Sequence, residues 1–212
     1  MITFKQYLNE AEPQDFGDFI VEHCHHLLSE LDIDLDDLDD LPLYRGMTGA
    51  GSQSIVLDID GKPVKCYIKS VRQNRAPLDT HPDLSDVIDD CFQEKFGWKP
   101  RSQSVFCYGK HGKELTEDYG DLHRVYPMGD FKFVWGEVKD LTHKIRDLMK
   151  QYRFPYKGAD EPYDGEQQAD FYEIFSDNLE GKYHDTDLWA AITGAPREIM
   201  IGCKQYLAVP VK

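Results

Sequence analysis

The spacing of apolar residues changes near residue 42, and that change limits the folds open to the chain. Before it, Phe16, Phe19, Ile20, Cys24, Leu27, Leu28 and Leu31 recur every three or four residues, which predicts one amphipathic helix over 15–31. After it, apolar residues come in short strand-like runs at 43–47, 54–60 and 63–70, the last two flanking Asp60-Gly61, a favoured hairpin pair. Pro82 opens and Gly97 ends a stretch whose Leu84, Val87, Ile88, Cys91 and Phe92 line one helical face. Residues 102–108, 123–127 and 131–135 read as strands, 137–150 as a helix, 151–165 as a surface loop, 166–180 as a helix, and 197–203 and 205–211 as two closing strands. Strands broken by helices without regular β-α-β alternation define the α+β class. The expected organisation is an N-terminal helical segment, 1–41, followed by one domain, 42–212.

At 212 residues the chain is long enough to bury a core as one domain with a small appendage. Its 39 acidic against 24 basic residues give a net charge of -15, with no Lys/Arg-rich cluster along the chain, so a nucleic-acid partner is disfavoured. No apolar run approaches the roughly 20 residues a membrane helix needs, and the start lacks a basic-then-apolar signal, so no membrane partner is expected and the chain is expected to stay cytosolic while it is made. Five cysteines, odd in number and set among apolar neighbours, read as reduced core thiols. No metal is expected. There is no Cys-x-x-Cys, and His23, Cys24, His25 and His26 point in different directions on a helix. The acidic stretch from Asp32 to Asp40 places Asp37 where an EF-hand loop needs glycine and Leu43 where it needs glutamate. Gly49-Ala50-Gly51-Ser52 lacks the Gly-Lys-Ser/Thr ending of a P-loop, and no Gly-x-Ser-x-Gly elbow is present.

Three short motifs remain, each on a strand-like segment: Tyr44-Arg45-Gly46, Ser102-Gln103-Ser104 and Glu198-Ile199-Met200-Ile201. In this order, over residues 43–211, the chain resembles the ADP-ribosyltransferases, in the branch marked by an arginine, a Ser-x-Ser and a late glutamate. The resemblance implies a split β-sandwich of two small sheets with flanking helices, with NAD as substrate in the cleft between them. It makes Arg45, Ser102 and Glu198 the catalytic set, with Tyr44, Gly46 and Ser104 joining Arg45 and Ser102 around NAD. The chemistry fits these residue types. Breaking the bond between nicotinamide and ribose builds positive charge on the sugar, which a carboxylate such as Glu198 stabilises. A guanidinium such as Arg45 matches pyrophosphate oxygens better than an ammonium does. A serine hydroxyl orients the glutamate and the ribose.

Members that modify arginine carry Glu-x-Glu, and here Pro196 stands in place of the first acid, which removes the usual ground for naming arginine as acceptor. The segment 184–197 occupies the place of the family's acceptor loop, and its Trp189 is a candidate contact for a target. Residues 1–10 are similar to leading peptides of proteins packaged into tailed-bacteriophage heads, with Leu8-Asn9-Glu10 resembling a prohead-protease site. The implied activity is transfer of ADP-ribose from NAD to a host protein, in the host cytoplasm, by a protein made there or packaged in a phage head. The alternative is a non-catalytic virion component or host-factor binder on the same scaffold.

Overall fold

The structure is a computed structural model that describes residues 13–35, 43–47, 53–75, 80–138, 140–158, 160–179 and 181–211. The leading peptide, Asp36 to Asp40 of the acidic stretch, and Gly49-Ala50-Gly51-Ser52 lie outside the described residues. The elements in chain order are β1 (Gln14–Asp15), α1 (Phe16–His23), α2 (His25–Leu31), β2 (Tyr44–Met47), β3 (Gln53–Ile59), β4 (Lys62–Ser70), α3 (Pro82–Phe96) and α4 (Pro100–Gln103). They continue with β5 (Val105–Tyr108), a 3-10 helix (Lys110–Tyr119), β6 (Asp121–Gly136), α5 (Leu141–Gln151), α6 (Gly165–Leu179), β7 (Tyr183–His184), α7 (Leu188–Thr193) and β8 (Glu198–Pro210). The fold is mixed α+β, and no helix of the described residues is long and apolar enough to cross a membrane.

Local signals place several elements directly. Asp60 and Gly61 both adopt positive φ, 55° and 70°, as the two central residues of a type I′ turn require, and they join Ile59 to its partner Lys62. In α3, Pro82 occupies the first turn, and Gly97 closes the helix in the left-handed region with its N–H on the Gln93 carbonyl. The helix expected over 15–31 is instead two, broken at Cys24, although the Cys24 N–H still reaches the Ile20 carbonyl at 2.7 Å. The break leaves Phe19 and Ile20 of α1 and Leu27 and Leu31 of α2 in a single core.

The strands run β1-β3-β4-β8-β5-β2-β6-β7, and a further β8–β6 pairing closes β8, β5, β2 and β6 into a ring. Two small sheets were expected, but the strands form one network because β6 and β8 each pass through both halves. The segments 123–127 and 131–135 are one strand, since the irregularity between Met128 and Phe131, with Gly129 at φ 68°, bends β6 without ending it. The segments 197–203 and 205–211 likewise merge into β8, whose pairing with β6 runs from Ile199 to Pro210. Alternation along β8 then feeds two cores. Ile199, Ile201 and Cys203 pack with α1 and α2, while Met200 packs with α3, α5 and α6.

The Ser-x-Ser segment also departs from expectation: residues 100–103 form the short helix α4, and the strand starts at Val105. Pro100 pre-sets a helical φ, and the Asp89 carboxylate of α3 accepts the N–H groups of Arg101 and Ser102 at 2.8 and 3.0 Å. That long-range cap holds the turn.

Gly46 lies under the 3-10 helix, where a Cβ would stand 2.0 Å from the Thr116 carbonyl oxygen and 2.9 Å from the Tyr119 Cβ. Gly46→Ala should therefore cost about 1–3 kcal/mol through forced displacement of backbone. Urea denaturation reads this as a lower midpoint, and an unchanged midpoint would mean that the 3-10 helix yields freely.

Candidate active site

Strand β5 organises the site. It pairs with the start of β8, Val105 opposite Ile201 and Tyr108 opposite Glu198, and touches β2 where Tyr108 faces Tyr44. Alternation puts Tyr108 and Phe106 on the sheet face that carries Glu198 and Met200. Two arginines hold β5 from other segments. Arg45 of β2 donates from Nη1 to the Phe106 carbonyl at 2.9 Å. Arg75, beyond β4, lies 4.5 Å over the Phe106 ring and donates its backbone N–H to the Ser102 carbonyl at 3.1 Å.

These arginines have cationic company. Lys69 is held below the ordinary lysine range first by burial, then by Arg45 and Arg72. Arg75 is lowered by burial, then by Arg45 and Arg101, with a smaller push from Arg72, while Glu198 pulls it back up. No linear Lys/Arg-rich run was visible, but folding gathers five cations from three segments in a chain of net charge -15. Like charges crowded in this way favour a bound anion.

Glu198 is half-buried at the start of β8. Its Oε2 accepts the N–H of Leu141, the first residue of α5, at 3.0 Å, and its own N–H reaches the Val138 carbonyl. Asp140 caps the same helix, with Oδ1 accepting from Thr142 and His143 at 2.6 and 3.2 Å. Two carboxylates thus share one helix N-terminus. The Glu198 pKa rises from 4.5 to about 7, chiefly through burial and further through Asp140, against the Leu141 hydrogen bond and the charges of Arg101 and Arg75. Arg101 is buried, donating from Nε to Ser85 Oγ at 3.1 Å and from Nη2 to Thr80 Oγ1 at 2.5 Å. Tyr108 and Tyr183 border the carboxylate, and both phenols are raised by burial and then by the Glu198 charge. The buried Tyr183 hydroxyl has no hydrogen-bond partner among the described residues. Behind Glu198, Trp135 donates to the Thr186 carbonyl at 2.8 Å and has the His184 ring and the Arg197 guanidinium each 4.4 Å from its ring.

Of the residues singled out from sequence, Arg45 and Glu198 meet β5 on different edges, linked through Arg75. Tyr44 faces Tyr108, with Lys113 5.8 Å over its ring, and Gly46 is occupied with packing against Thr116. Among the described residues neither serine is hydrogen-bonded to Glu198. Ser102 gives its N–H and a side-chain hydrogen bond to Asp89, and Ser104 lies four residues before Tyr108, about 13 Å along an extended chain. The Ser104 hydroxyl is buried without a partner among the described residues. Arg75, Asp140, Tyr108 and Tyr183 were not anticipated, and Arg101 was not given a role. One signal for the cations was present in Lys69, Arg72 and Arg75, spaced every third residue. Among the described residues no group of His, Cys, Asp or Glu is arranged to hold a metal. Compared with protein-family models, curated proteins and solved structures, the chain matches none of them.

A carboxyl whose pKa is higher folded than unfolded keeps extra protons in the folded state, so its ionisation weakens folding as pH rises from about 4.5 to about 7. Glu198→Gln keeps the acceptor for Leu141 and removes the charge. The variant should be more stable than the parent at pH 8 by about 1–3 kcal/mol, with the difference shrinking at pH 5. Equal urea midpoints at both pH values would show that Glu198 titrates as an ordinary carboxyl.

Proposed function

We propose that this chain is a mono-ADP-ribosyltransferase that moves ADP-ribose from NAD to an acceptor protein, on an ADP-ribosyltransferase-like fold. The observation that carries the reading is the meeting, around the four-residue strand β5, of a half-buried glutamate and a cluster of guanidinium groups. NAD asks for both. Its pyrophosphate needs fixed cations, and Arg45 and Arg75 supply planar donors. Its nicotinamide leaves from C1′ as positive charge grows on the ribose, and the Glu198 carboxylate stabilises that charge. Tyr108, directly across the ladder from Glu198, takes the orienting part that the resemblance gives to a serine. The acceptor is a host protein, and the host cytoplasm is where the transfer occurs.

Glu198 acts as an anion, so nicotinamide release should rise with pH through about 7. Glu198→Gln should lower release by roughly 100- to 1000-fold and remove this dependence. Arg75→Ala and Arg45→Ala should weaken NAD binding by roughly 10- to 100-fold, as loss of a charged hydrogen bond does, in calorimetric titration. Release by Glu198→Gln at the parent rate would sink the assignment.

A second reading, a non-catalytic binder on the same scaffold, draws on the commitment of Ser102 to Asp89. It is favoured if the parent protein, incubated with NAD, releases no nicotinamide with or without host lysate.

A further inference from the structure

The cations beside β5 outnumber the charges that a pyrophosphate presents. Arg45 and Arg75 meet at Phe106, one on its carbonyl at 2.9 Å and the other 4.5 Å over its ring, and these two suffice for the phosphates of NAD. Lys69 and Arg72 are not needed for that role. Their place follows from the backbone. Lys69 stands opposite Tyr206 in the β4–β8 ladder, the Val71 N–H is tied to the Lys204 carbonyl at 3.1 Å, and the Arg75 N–H is tied to the Ser102 carbonyl at 3.1 Å. Arg72 therefore sits on the crossing segment between those two anchors. Three residues separate it from Lys69 and three from Arg75, which keeps each pair of Cα atoms within about 11 Å. The Tyr206 phenol registers the same grouping, raised to about 12 by burial while the charges of Arg45 and Arg72 pull it back.

The row of cations has a direction. Arg101 and Arg75 act on Glu198, Arg45 stands beside Arg75 and Lys69, and Lys69 and Arg72 fall at the end away from the glutamate. Acidic side chains prevail in the chain, yet Arg45, Arg72, Arg75 and Arg101 form no ion pair among the described residues. Arg72 is exposed, so an anion can reach it without rearrangement of the fold. A dinucleotide with its nicotinamide ribose at Glu198 and its pyrophosphate at Arg45 and Arg75 directs its adenosine along this row.

We infer that Arg72 and Lys69 hold a further phosphate on the adenosine ribose, so that the donor this site prefers is the 2′-phosphorylated dinucleotide, NADP. This rests on the transferase reading above and names its donor substrate. A phosphate monoester brings a charge of about −1.5 to −2 at pH 7 and three acceptor oxygens, which a guanidinium and an ammonium together can receive. The adenosine ribose of NAD offers them only hydroxyls. The added contact is remote from the bond that breaks and is the same before and during the reaction, so it should lower KM and leave kcat unchanged.

The experiment is calorimetric titration of the parent, Arg72→Ala, Lys69→Ala and Arg75→Ala with NAD and with NADP, alongside nicotinamide release from each dinucleotide. The parent should bind NADP roughly 10- to 100-fold more tightly than NAD, as one or two charged hydrogen bonds allow. Arg72→Ala and Lys69→Ala should shrink that preference while leaving NAD affinity within about twofold of the parent's. Arg75→Ala should weaken both dinucleotides alike and keep the preference. Equal affinity of the parent for NAD and NADP would overturn the assignment, as would a preference left intact in both Arg72→Ala and Lys69→Ala. So would an Arg72→Ala variant that loses as much affinity for NAD as for NADP. A parent that binds neither dinucleotide defeats the transferase reading itself and this inference with it.

Discussion

Everything in the site depends on how β8 shares its two edges. One edge belongs to β6 from Ile199 to Pro210, while the other pairs with β5 at residues 198–201 and with β4 at 205–208. The change of partner occurs where Gly202 presses against Trp98, so tightly that a Cβ would lie 2.4 Å from the indole, and where the Lys204 carbonyl accepts the N–H of Val71. Because β5 and β4 cannot both follow β8, the segment after β4 crosses the division and brings Arg75 onto β5. The cations therefore collect at a seam in the sheet, and the glutamate stands at one end of it.

The electrostatics follow from this geometry more than from composition. Acidic residues dominate the chain, yet the charges nearest β5 are mostly positive, and burial intensifies their mutual repulsion. Glu198 is the counterweight within reach of Arg75 and Arg101, but a single half-buried carboxyl with Asp140 alongside does not neutralise the group. A polyanionic ligand would relieve the repulsion among the cations.

What could be read beforehand was local. The Asp60-Gly61 hairpin and the Pro82-to-Gly97 helix were legible because their turn and cap residues lie within the segment they control. Arg45 and Glu198 were legible as motif residues. The helical turn at Ser102 was not, because Asp89, which caps it, is thirteen positions upstream on another helix. The joining of two short strands into β6 was hidden by a bulge that resembles a turn. Arg75 and Asp140 carry no motif of their own. Their placement comes from the seam in the sheet and from the approach of α5 to β8, neither of which leaves a periodic trace in the sequence.

Trp135 gives this arrangement an internal observer. Its indole is hydrogen-bonded to the backbone beside β7 and contacted by the imidazole of His184 and by Arg197, the residue immediately before Glu198. Any displacement of the start of β8 alters the face of that ring. The surroundings of this one side chain are therefore tied to the position of the glutamate, and a shift of the start of β8 should register in its emission.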